Sequence, residues 1–243
     1  MLSVNEERKM NNIKQIEVIY DNRLVGRLAL TKEGLCAFEY SAEWLGSGFS
    51  ISPFELPLKS GVFIAKPRPF EGGFGVFDDC LPDGWGLLIL DRYLQQKNIN
   101  PRTLTLLDRL ALVGSTGRGA LEFRPDHSVV TRQDYVDFEK LALEAEQILD
   151  SDDYTGEGIE EFQDRGGSPG GARPKIFIRY DNKEWLVKFR AKRDPHNIGI
   201  DEYRYSLLAK QCGIEMPETR LFEDKYFGVE RFDRTSNGKL HVV

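Results

Sequence analysis

The stretch that decides the fold runs from Gly166 to Lys175 and reads Gly-Gly-Ser-Pro-Gly-Gly-Ala-Arg-Pro-Lys. Its four glycines lack Cβ atoms, which lets backbone N–H groups converge on a polyanion, and Lys175 adds a positive charge at the exit. It is not a Walker A loop, because Pro174 stands where that pattern needs Gly, and it contains no Gly-x-Gly-x-x-Gly. A flexible linker between domains is the alternative, and the composition alone favours it.

The residues after this stretch favour a binding loop over a linker. Lys175–Tyr180 and Trp185–Arg190 are predicted strands, joined by a polar hairpin connection over residues 181–184. Because side chains alternate along a strand, Lys188 lies on the face opposite to the large apolar residues of the second strand. Those apolar residues are Trp185, Val187 and Phe189.

A helix is predicted from about Asp201, with Gly213 at the position that follows its C-terminal cap. Its apolar stripe consists of Tyr203, Leu207, Leu208 and Cys212. Glu202 lies in the predicted first turn, where a carboxylate suits the helix dipole. In protein kinases a strand lysine, oriented by a glutamate of the next helix, holds the nucleotide phosphates. A solvated or edge lysine is the alternative for Lys188, and a solvated glutamate is the alternative for Glu202.

Several motifs, in a fixed order over roughly Ile16 to Val243, resemble the HipA family of bacterial serine/threonine kinases. They are Pro53–Leu58, Leu81–Gly86, Leu90–Arg92, Leu107–Gly114, Arg118–Phe123, Gly167–Lys175, Trp185–Phe189, Asp201–Tyr203, Leu208–Pro217 and Val229–Arg234. The resemblance implies an α+β fold. It implies an N-terminal module of strands followed by helices, and then a protein-kinase-like small lobe with an antiparallel sheet and one helix equivalent to the kinase helix αC.

The resemblance also implies an ATP site, with ten residues carried over from the family. They are Gly170, Gly171, Ala172, Arg173, Pro174, Lys175, Lys188, Glu230, Arg231 and Phe232. In this reading Glu202 orients Lys188, and the backbone of residues 230–232 contacts the adenine. A strand with a charged exit is the alternative for residues 230–232. Ser168 matches an autophosphorylation position whose modification holds the loop out and switches the kinase off. Pro169, directly after it, departs from the best-known toxin type.

The sequence contains neither of the catalytic elements that the family carries in a large helical lobe. Those elements are an Asp-x-x-x-x-Asn loop and an aspartate that binds Mg²⁺, and phosphoryl transfer needs both. After Arg234 only nine residues follow. We therefore expect no catalytic residue in this chain, and we expect it to be inactive by itself. It is then a cloned portion of a longer protein, a gene fragment or a natural split partner, and the complete kinase uses ATP and Mg²⁺.

Three function classes stay open at this point. The first is the N-terminal portion of an ATP-dependent HipA-like kinase, a toxin of a toxin–antitoxin system. The second is a non-catalytic, antitoxin-like interaction module of a split HipA-type system, and the third is an inactivated pseudokinase remnant. An inhibitory module needs neither Lys188 nor the loop over residues 166–175, so these features favour the first class. The expected partners are the missing kinase lobe in cis or in trans, a HipB-like antitoxin and a protein substrate such as an aminoacyl-tRNA synthetase.

Composition and charge narrow the cellular context. The net charge of −6 and the pI near 5.3 argue against a chain-wide nucleic-acid footprint. The start of the chain is too polar for a signal peptide, and no apolar run reaches membrane length. The cysteines lie far apart and the histidines lack metal-ligand spacing, which predicts reduced structural thiols in the cytoplasm and no metal site. The aspartates Asp78, Asp79 and Asp83 could bind a divalent ion or supply a general base, but structural roles are favoured.

Three consecutive stretches are predicted along the chain: an N-terminal module at 1–125, an amphipathic helix with an acidic linker at 126–165, and the truncated small lobe at 166–243. The module begins with strands Ile13–Tyr20, Leu24–Leu30 and Leu35–Tyr40, with a turn at Asp21-Asn22. The predicted helices are Gly84–Gln96, a helix from Pro101 to near Gly114 with Asn100 as N-cap, and Thr131–Asp150 with Thr131 and Asp134 as a capping box. Residues 151–167 are predicted to form a loop. Trp85, Leu87, Leu88 and Leu94 are predicted core residues.

Overall fold

The structure is a computed structural model that describes residues 13–128, 136–151, 154, 156, 158–166 and 171–241. Its described residues form two compact units, each discontinuous in sequence. The first unit draws on Met1–Pro82, Lys97–Val129 and Thr235–Val243, and the second on Asp83–Gln96 and Val130–Arg234. The sequence predicts three consecutive stretches, 1–125, 126–165 and 166–243. This division along the chain stays a prediction.

Along the chain the elements are β1 (Gln15–Tyr20), β2 (Arg23–Leu30), β3 (Cys36–Tyr40), α1 (Ala42–Ser47), β4 (Val62–Ile64), α2 (Gly75–Asp78), α3 (Gly84–Gln96), a 3₁₀ turn (Pro101–Thr103), α4 (Leu106–Val113), β5 (Leu121–Arg124), α5 (Phe138–Asp150), α6 (Gly158–Gly166), β6 (Lys175–Tyr180), β7 (Lys183–Lys188), α7 (Ile198–Gln211), β8 (Thr219–Phe222), β9 (Tyr226–Glu230), β10 (Arg234–Thr235) and β11 (Gly238–Lys239). The fold class is α+β with antiparallel sheets, as the sequence predicts. None of the helices in the described ranges is long and apolar enough to cross a membrane.

The first unit is built on a five-stranded antiparallel sheet with the order β4-β3-β2-β1-β5. The predicted turn between β1 and β2 is confirmed, since Asp21 and Asn22 have φ values of 48° and 58°. Positive φ at both central residues is the signature of a type I′ hairpin turn, which matches the twist of paired strands. The core beneath the sheet contains large, fully buried side chains: Phe38, Trp44, Phe77 and Phe123.

The prediction of one continuous helix from Pro101 to near Gly114 is wrong, because this segment forms a 3₁₀ turn and a separate helix, α4. Asn100 caps only the 3₁₀ turn, and the chain is extended at Leu104 and Thr105. Thr105 then starts α4 through a capping box, because its side chain accepts the Asp108 amide while the Asp108 carboxylate accepts the Thr105 amide. This second N-cap ends the first turn and begins a new helix.

The second unit contains a four-stranded antiparallel sheet with the order β6-β7-β9-β8. The β6–β7 hairpin has a two-residue turn at Asp181 and Asn182, with φ values of 51° and 59°. The prediction of a four-residue connection over residues 181–184 is wrong, because Lys183 and Glu184 pair with Tyr180 and Arg179 in the sheet. The predicted apolar face is confirmed, although β7 ends at Lys188 and not at Arg190. Its side chains, together with the one directly after the strand, are almost completely buried: Trp185, Val187 and Phe189.

Two helices of the second unit differ from the prediction. Helix α6 lies where a loop was expected, and it buries Ile159 and Phe162, the latter edge-on to Trp85 with ring centroids 5.0 Å apart. Helix α5 begins at Phe138 instead of Thr131, because the Asp137 side chain accepts the Lys140 amide as N-cap. The proposed capping residues Thr131 and Asp134 lie outside the described residues.

Helix α3 has the predicted bounds and buries Trp85 and Leu94, but Leu87 is 37% exposed, so its assignment to the core is wrong. Helix α7 begins at Ile198, three residues before the predicted start, and it ends as predicted with Gly213 at φ +81°. The amides of Gly213 and Ile214 donate to the carbonyls of Lys210 and Ala209, which is a Schellman motif.

The apolar stripe predicted on α7 is present in the helix, but most of it is exposed to solvent. Among the residues of the helix only Ser206 is buried, held by hydrogen bonds to Tyr203 and Thr219. Large apolar side chains of α7 and the turn after it are exposed to solvent: Tyr205, Leu207, Leu208 and Ile214. The helical period was present, but no described element packs on that face.

Candidate functional site

An ion pair links β7 to α7 in the second unit. Lys188 is the last residue of β7, and its Nζ lies 2.8 Å from Oε2 of Glu202. The lysine side chain is 34% exposed and the glutamate side chain 21% exposed, so the pair lies at the boundary between protein and solvent. The same Nζ lies 5.3 Å from the centroid of the Phe227 ring on β9. Glu202 lies in the second turn of α7 and not in the first, because the helix begins at Ile198.

Residues 171–175 of the glycine-rich stretch are fixed by hydrogen bonds to Asp83 and within the stretch itself. Gly171 donates its amide to Asp83 Oδ1 at 2.7 Å, and its carbonyl accepts the Lys175 ammonium at 3.0 Å. Lys175 is only 4% exposed, so its charge faces the loop backbone and not the solvent. The predicted site residues Gly170 and Ser168 lie outside the described residues.

Residues 171–173 are exposed, whereas Pro174 and Lys175 are buried. The amides of Ala172 and Arg173 have no hydrogen-bond partner within the described ranges. Two successive N–H groups without a partner can bind an anion, because free backbone donors are a source of positive potential. The carbonyl of Pro174, in contrast, accepts the Phe189 amide at 2.8 Å and fixes the loop exit to the sheet.

The side chain of Arg173 connects the loop to the lysine–glutamate pair. Its guanidinium lies 2.8 Å from Asp194 and 3.8 Å from Glu202. Partial burial opposes ionisation of Asp194, but hydrogen bonds from the Ala191 amide and from Arg173 hold the pKa of this carboxyl below its ordinary value. Asp194 therefore stays ionised near neutral pH and anchors Arg173.

A cavity of about 380 Å³ lies beside these charges. Its wall includes Arg173, Lys188 and Glu202, which the sequence predicts, and also Asp194, His196 and Lys225, which it does not. Residues 230–232, which the family resemblance assigns to the adenine, do not line this cavity. No sequence motif indicates that these three additional residues line a site, because they lie in the loop before α7 and in the β8–β9 turn.

The segment after β9 has a different arrangement. The amides of Glu230 and Arg231 donate to the carbonyls of Glu218 and Glu184, both at 2.8 Å, so they belong to the sheet. Phe232 is 62% exposed, and its amide has no hydrogen-bond partner among the described residues. Of these three residues, only Phe232 presents a free backbone donor to a ligand.

A buried charge cluster supports this segment. Arg231 donates to both carboxylate oxygens of Asp233, at 2.9 and 2.7 Å, and its guanidinium lies 4.0 Å from the centroid of the Phe177 ring. Arg234 also donates to Asp233 at 2.7 Å, and Glu184 lies 3.4 Å from Arg231. Phe232 is thus held between two buried residues, which are 8% and 7% exposed. Sequence reasoning included Arg231 but gave Asp233 no role.

No group of three or more His, Cys, Asp or Glu side chains in the described residues is arranged to hold a metal ion. Asp78 has its pKa raised by burial and by the neighbouring charges of Asp79 and Glu71. Asp83, the third aspartate considered above as a metal ligand or general base, instead accepts the Gly171 amide.

Comparison with protein-family sequence profiles gives two matches. Residues 16–124 match the HipA N-terminal domain, and residues 167–243 match the HipA-like C-terminal domain. A comparison with curated protein sequences gives no significant match. The two family matches lie in the expected order and together cover most of the chain, including the ion pair and the glycine-rich stretch. The chain therefore belongs to the HipA family.

Proposed function

We propose that the second unit binds ATP with Mg²⁺ and forms the nucleotide-binding part of a HipA-like serine/threonine protein kinase. The observation that carries this proposal is the 2.8 Å ion pair between Lys188 and Glu202. Protein kinases use a strand lysine that holds the nucleotide phosphates and a helix glutamate that orients it. At 34% exposure the lysine side chain remains accessible to a ligand while its ammonium is held in place.

The topology around the pair supports the same function. Helix α7 follows the lysine strand β7 and precedes β8, and β9 lies between β7 and β8 in the sheet. This places the glutamate helix in the connection directly after the lysine strand, as in the small lobe of a protein kinase. The glycine-rich stretch directly precedes β6, the hairpin partner of β7.

We assign separate roles to the exposed donors. The amides of Ala172 and Arg173 and the ammonium of Lys188 would bind phosphate oxygens, since all three are cationic or N–H donors. The free amide of Phe232 would bind the adenine edge. Lys175, which is buried against Gly171, would support the loop and not the phosphate.

Catalysis requires groups that this sequence does not contain, so the catalytic aspartate and the Mg²⁺-binding aspartate would come from residues outside it. HipA-family membership suggests a toxin–antitoxin context. Within it we propose a toxin role, a HipB-like antitoxin and a protein substrate, with an aminoacyl-tRNA synthetase as the first candidate. Autophosphorylation at Ser168 and a cytoplasmic location stay predictions.

One observation favours a second candidate function, a non-catalytic docking module. Four large apolar side chains on or just after α7 are 40–70% exposed: Tyr205, Leu207, Leu208 and Ile214. Exposed apolar clusters of this kind mark interaction surfaces. A docking module would keep this surface but would have no need for nucleotide affinity, so nucleotide binding separates the two functions.

The experiment is a calorimetric titration of Mg-ATP into the 243-residue chain, its Lys188→Ala variant and a Lys192→Ala control. Lys192 is 68% exposed, pairs with Asp150 and does not line the cavity, so the control removes the same charge from the same unit. A charge-assisted contact contributes about 1.5–3 kcal/mol, so Lys188→Ala should weaken binding about ten- to hundredfold. Since our proposal places the catalytic lobe outside this sequence, we expect a dissociation constant for the unmodified chain weaker than ~1 μM.

The control should bind as the unmodified chain does. Equal affinity of Lys188→Ala and Lys192→Ala, or no binding by any variant, would reject the nucleotide site and leave the docking function. Thermal unfolding of each variant shows whether the fold is retained.

A further inference from the structure

Gly171 is held at both polar atoms of its peptide backbone by groups far away in the sequence. Its amide donates to the Asp83 carboxylate at 2.7 Å, and its carbonyl accepts from the Trp85 amide at 3.1 Å and from the Lys175 ammonium at 3.0 Å. An anion therefore holds the donor and a cation holds the acceptor of the same residue. Hydrogen bonds to ionised groups are about twice as strong as those between neutral groups.

The backbone geometry around this contact leaves no room for larger residues. Gly171 has φ +92° and Gly84 has φ +46°, a region that side chains with a Cβ rarely adopt. A Cβ on Gly84 would lie 2.8 Å from the carbonyl carbon and oxygen of Gly171 and 2.9 Å from Cα of Ala172. The start of α3 and the base of the glycine-rich loop are therefore in direct backbone contact, which fixes the loop at Gly171.

We propose that Asp83 is a positioning residue for nucleotide phosphates, which rests on the proposed function above. By binding the Gly171 amide, its carboxylate fixes the residue that precedes the two free donors, the amides of Ala172 and Arg173. Donors that are held in place before the ligand arrives bind more tightly, because the ligand does not have to order them. Asp83 does not contact the phosphate itself, since like charges repel.

The opposite role would be competition, in which Asp83 occupies a donor that phosphate needs. The geometry argues for positioning, because two further donors fix the carbonyl of Gly171, which lies in the same peptide plane as the Ala172 amide. In addition, Arg173 is tied at its own side chain to Asp194 at 2.8 Å. The free amides thus lie between two anchored points, and removing one anchor loosens them.

The test compares Asp83→Ala and Asp83→Asn with the unmodified chain and with a Glu215→Ala control. Asparagine keeps an oxygen that can accept the Gly171 amide, whereas alanine removes it. Glu215 is exposed and belongs to the same unit, so its replacement makes the same change in net charge away from the loop. Dissociation constants for Mg-ATP and for adenosine are measured by NMR titration, and the exchange rate of the Gly171 amide reports the contact without any ligand.

We expect Asp83→Ala to weaken Mg-ATP binding about tenfold and to speed exchange of the Gly171 amide, with adenosine affinity unchanged. Asp83→Asn should recover most of the ATP affinity, and Glu215→Ala should match the unmodified chain. Tighter or unchanged ATP binding by Asp83→Ala would overturn the inference, as would a parallel loss of adenosine affinity, which indicates general damage. If the unmodified chain binds Mg-ATP and Asp83→Ala equals it, only the inference fails. If the unmodified chain binds no nucleotide, the proposed function fails with it.

Discussion

The carboxylate of Asp233 neutralises two guanidinium groups, and its loss should destabilise the second unit strongly. It binds Arg231 through both oxygens and Arg234 through one, with the closest contacts at 2.7 Å. The side chains of Asp233 and Arg231 are 9% and 7% exposed, so solvent cannot replace the carboxylate. Asp233→Ala therefore leaves two neighbouring cations, one of them buried.

Removing one partner of a buried pair costs about 3–5 kcal/mol of the free energy of unfolding. Arg231 keeps two other contacts, a Glu184 carboxylate at 3.4 Å and the Phe177 ring at 4.0 Å, which place the cost at the lower end of that range. We therefore expect Asp233→Ala to cost about 3 kcal/mol. Asp233→Asn, which keeps one acceptor oxygen, should cost less.

The assay is urea unfolding followed by tryptophan fluorescence, to which Trp85 and Trp185 contribute from the same unit. A loss of about 3 kcal/mol lowers the midpoint by about 1–3 M urea for ordinary denaturant slopes. Asp150→Ala is the matched control, since Asp150 forms a 2.7 Å pair with Lys192 in which the two side chains are 43% and 68% exposed. Exposed pairs contribute about 0–1 kcal/mol. Equal costs for Asp233→Ala and Asp150→Ala would refute the reasoning.

Two further predictions concern the thiols and a helix end. Burial raises the pKa of Cys36 to about 11 and of Cys80 to about 12, so at pH 8 both stay protonated and unreactive, while the exposed Cys212 reacts. A thiol-reactive dye should titrate one thiol in the folded chain and three after unfolding, and rapid modification of all three while the chain is folded would contradict this burial. Gly213→Ala should cost about 1 kcal/mol of unfolding free energy, because φ is +81° there and no steric clash adds to the cost. An increase in stability on thermal unfolding would show that this helix end does not adopt the left-handed conformation.

Local patterns were enough to locate both hairpins and strands β1, β2, β3, β6 and β7, although the turn between β6 and β7 has two residues and not four. Asp21-Asn22 and Asp181-Asn182 both adopt the positive φ values of type I′ turns, and the alternation along β7 correctly gave its buried face. These features depend on neighbouring residues, whose turn chemistry and two-residue period are visible in the sequence.

Features that depend on distant contacts were missed. Helix α6 is stabilised by packing of Phe162 on Trp85, which is far away in the sequence, and its glycines and acidic residues indicated a loop. The Asp83–Gly171 hydrogen bond joins residues 88 positions apart, so no local spacing reveals it. The apolar stripe on α7 has the predicted helical period, but the described residues leave it exposed, so the period alone does not show which face of a helix packs.

The measurement that tests the central claim most directly is affinity labelling with an acyl-phosphate derivative of ATP, which transfers its acyl group to a lysine beside the bound phosphates. Lys188 is accessible, with a side chain 34% exposed, whereas Lys175 is only 4% exposed. We predict that peptide mass spectrometry finds Lys188 acylated and that excess Mg-ATP prevents this acylation. Labelling confined to exposed lysines such as Lys183 and Lys192, with no protection by Mg-ATP, would contradict a nucleotide site at the Lys188–Glu202 pair.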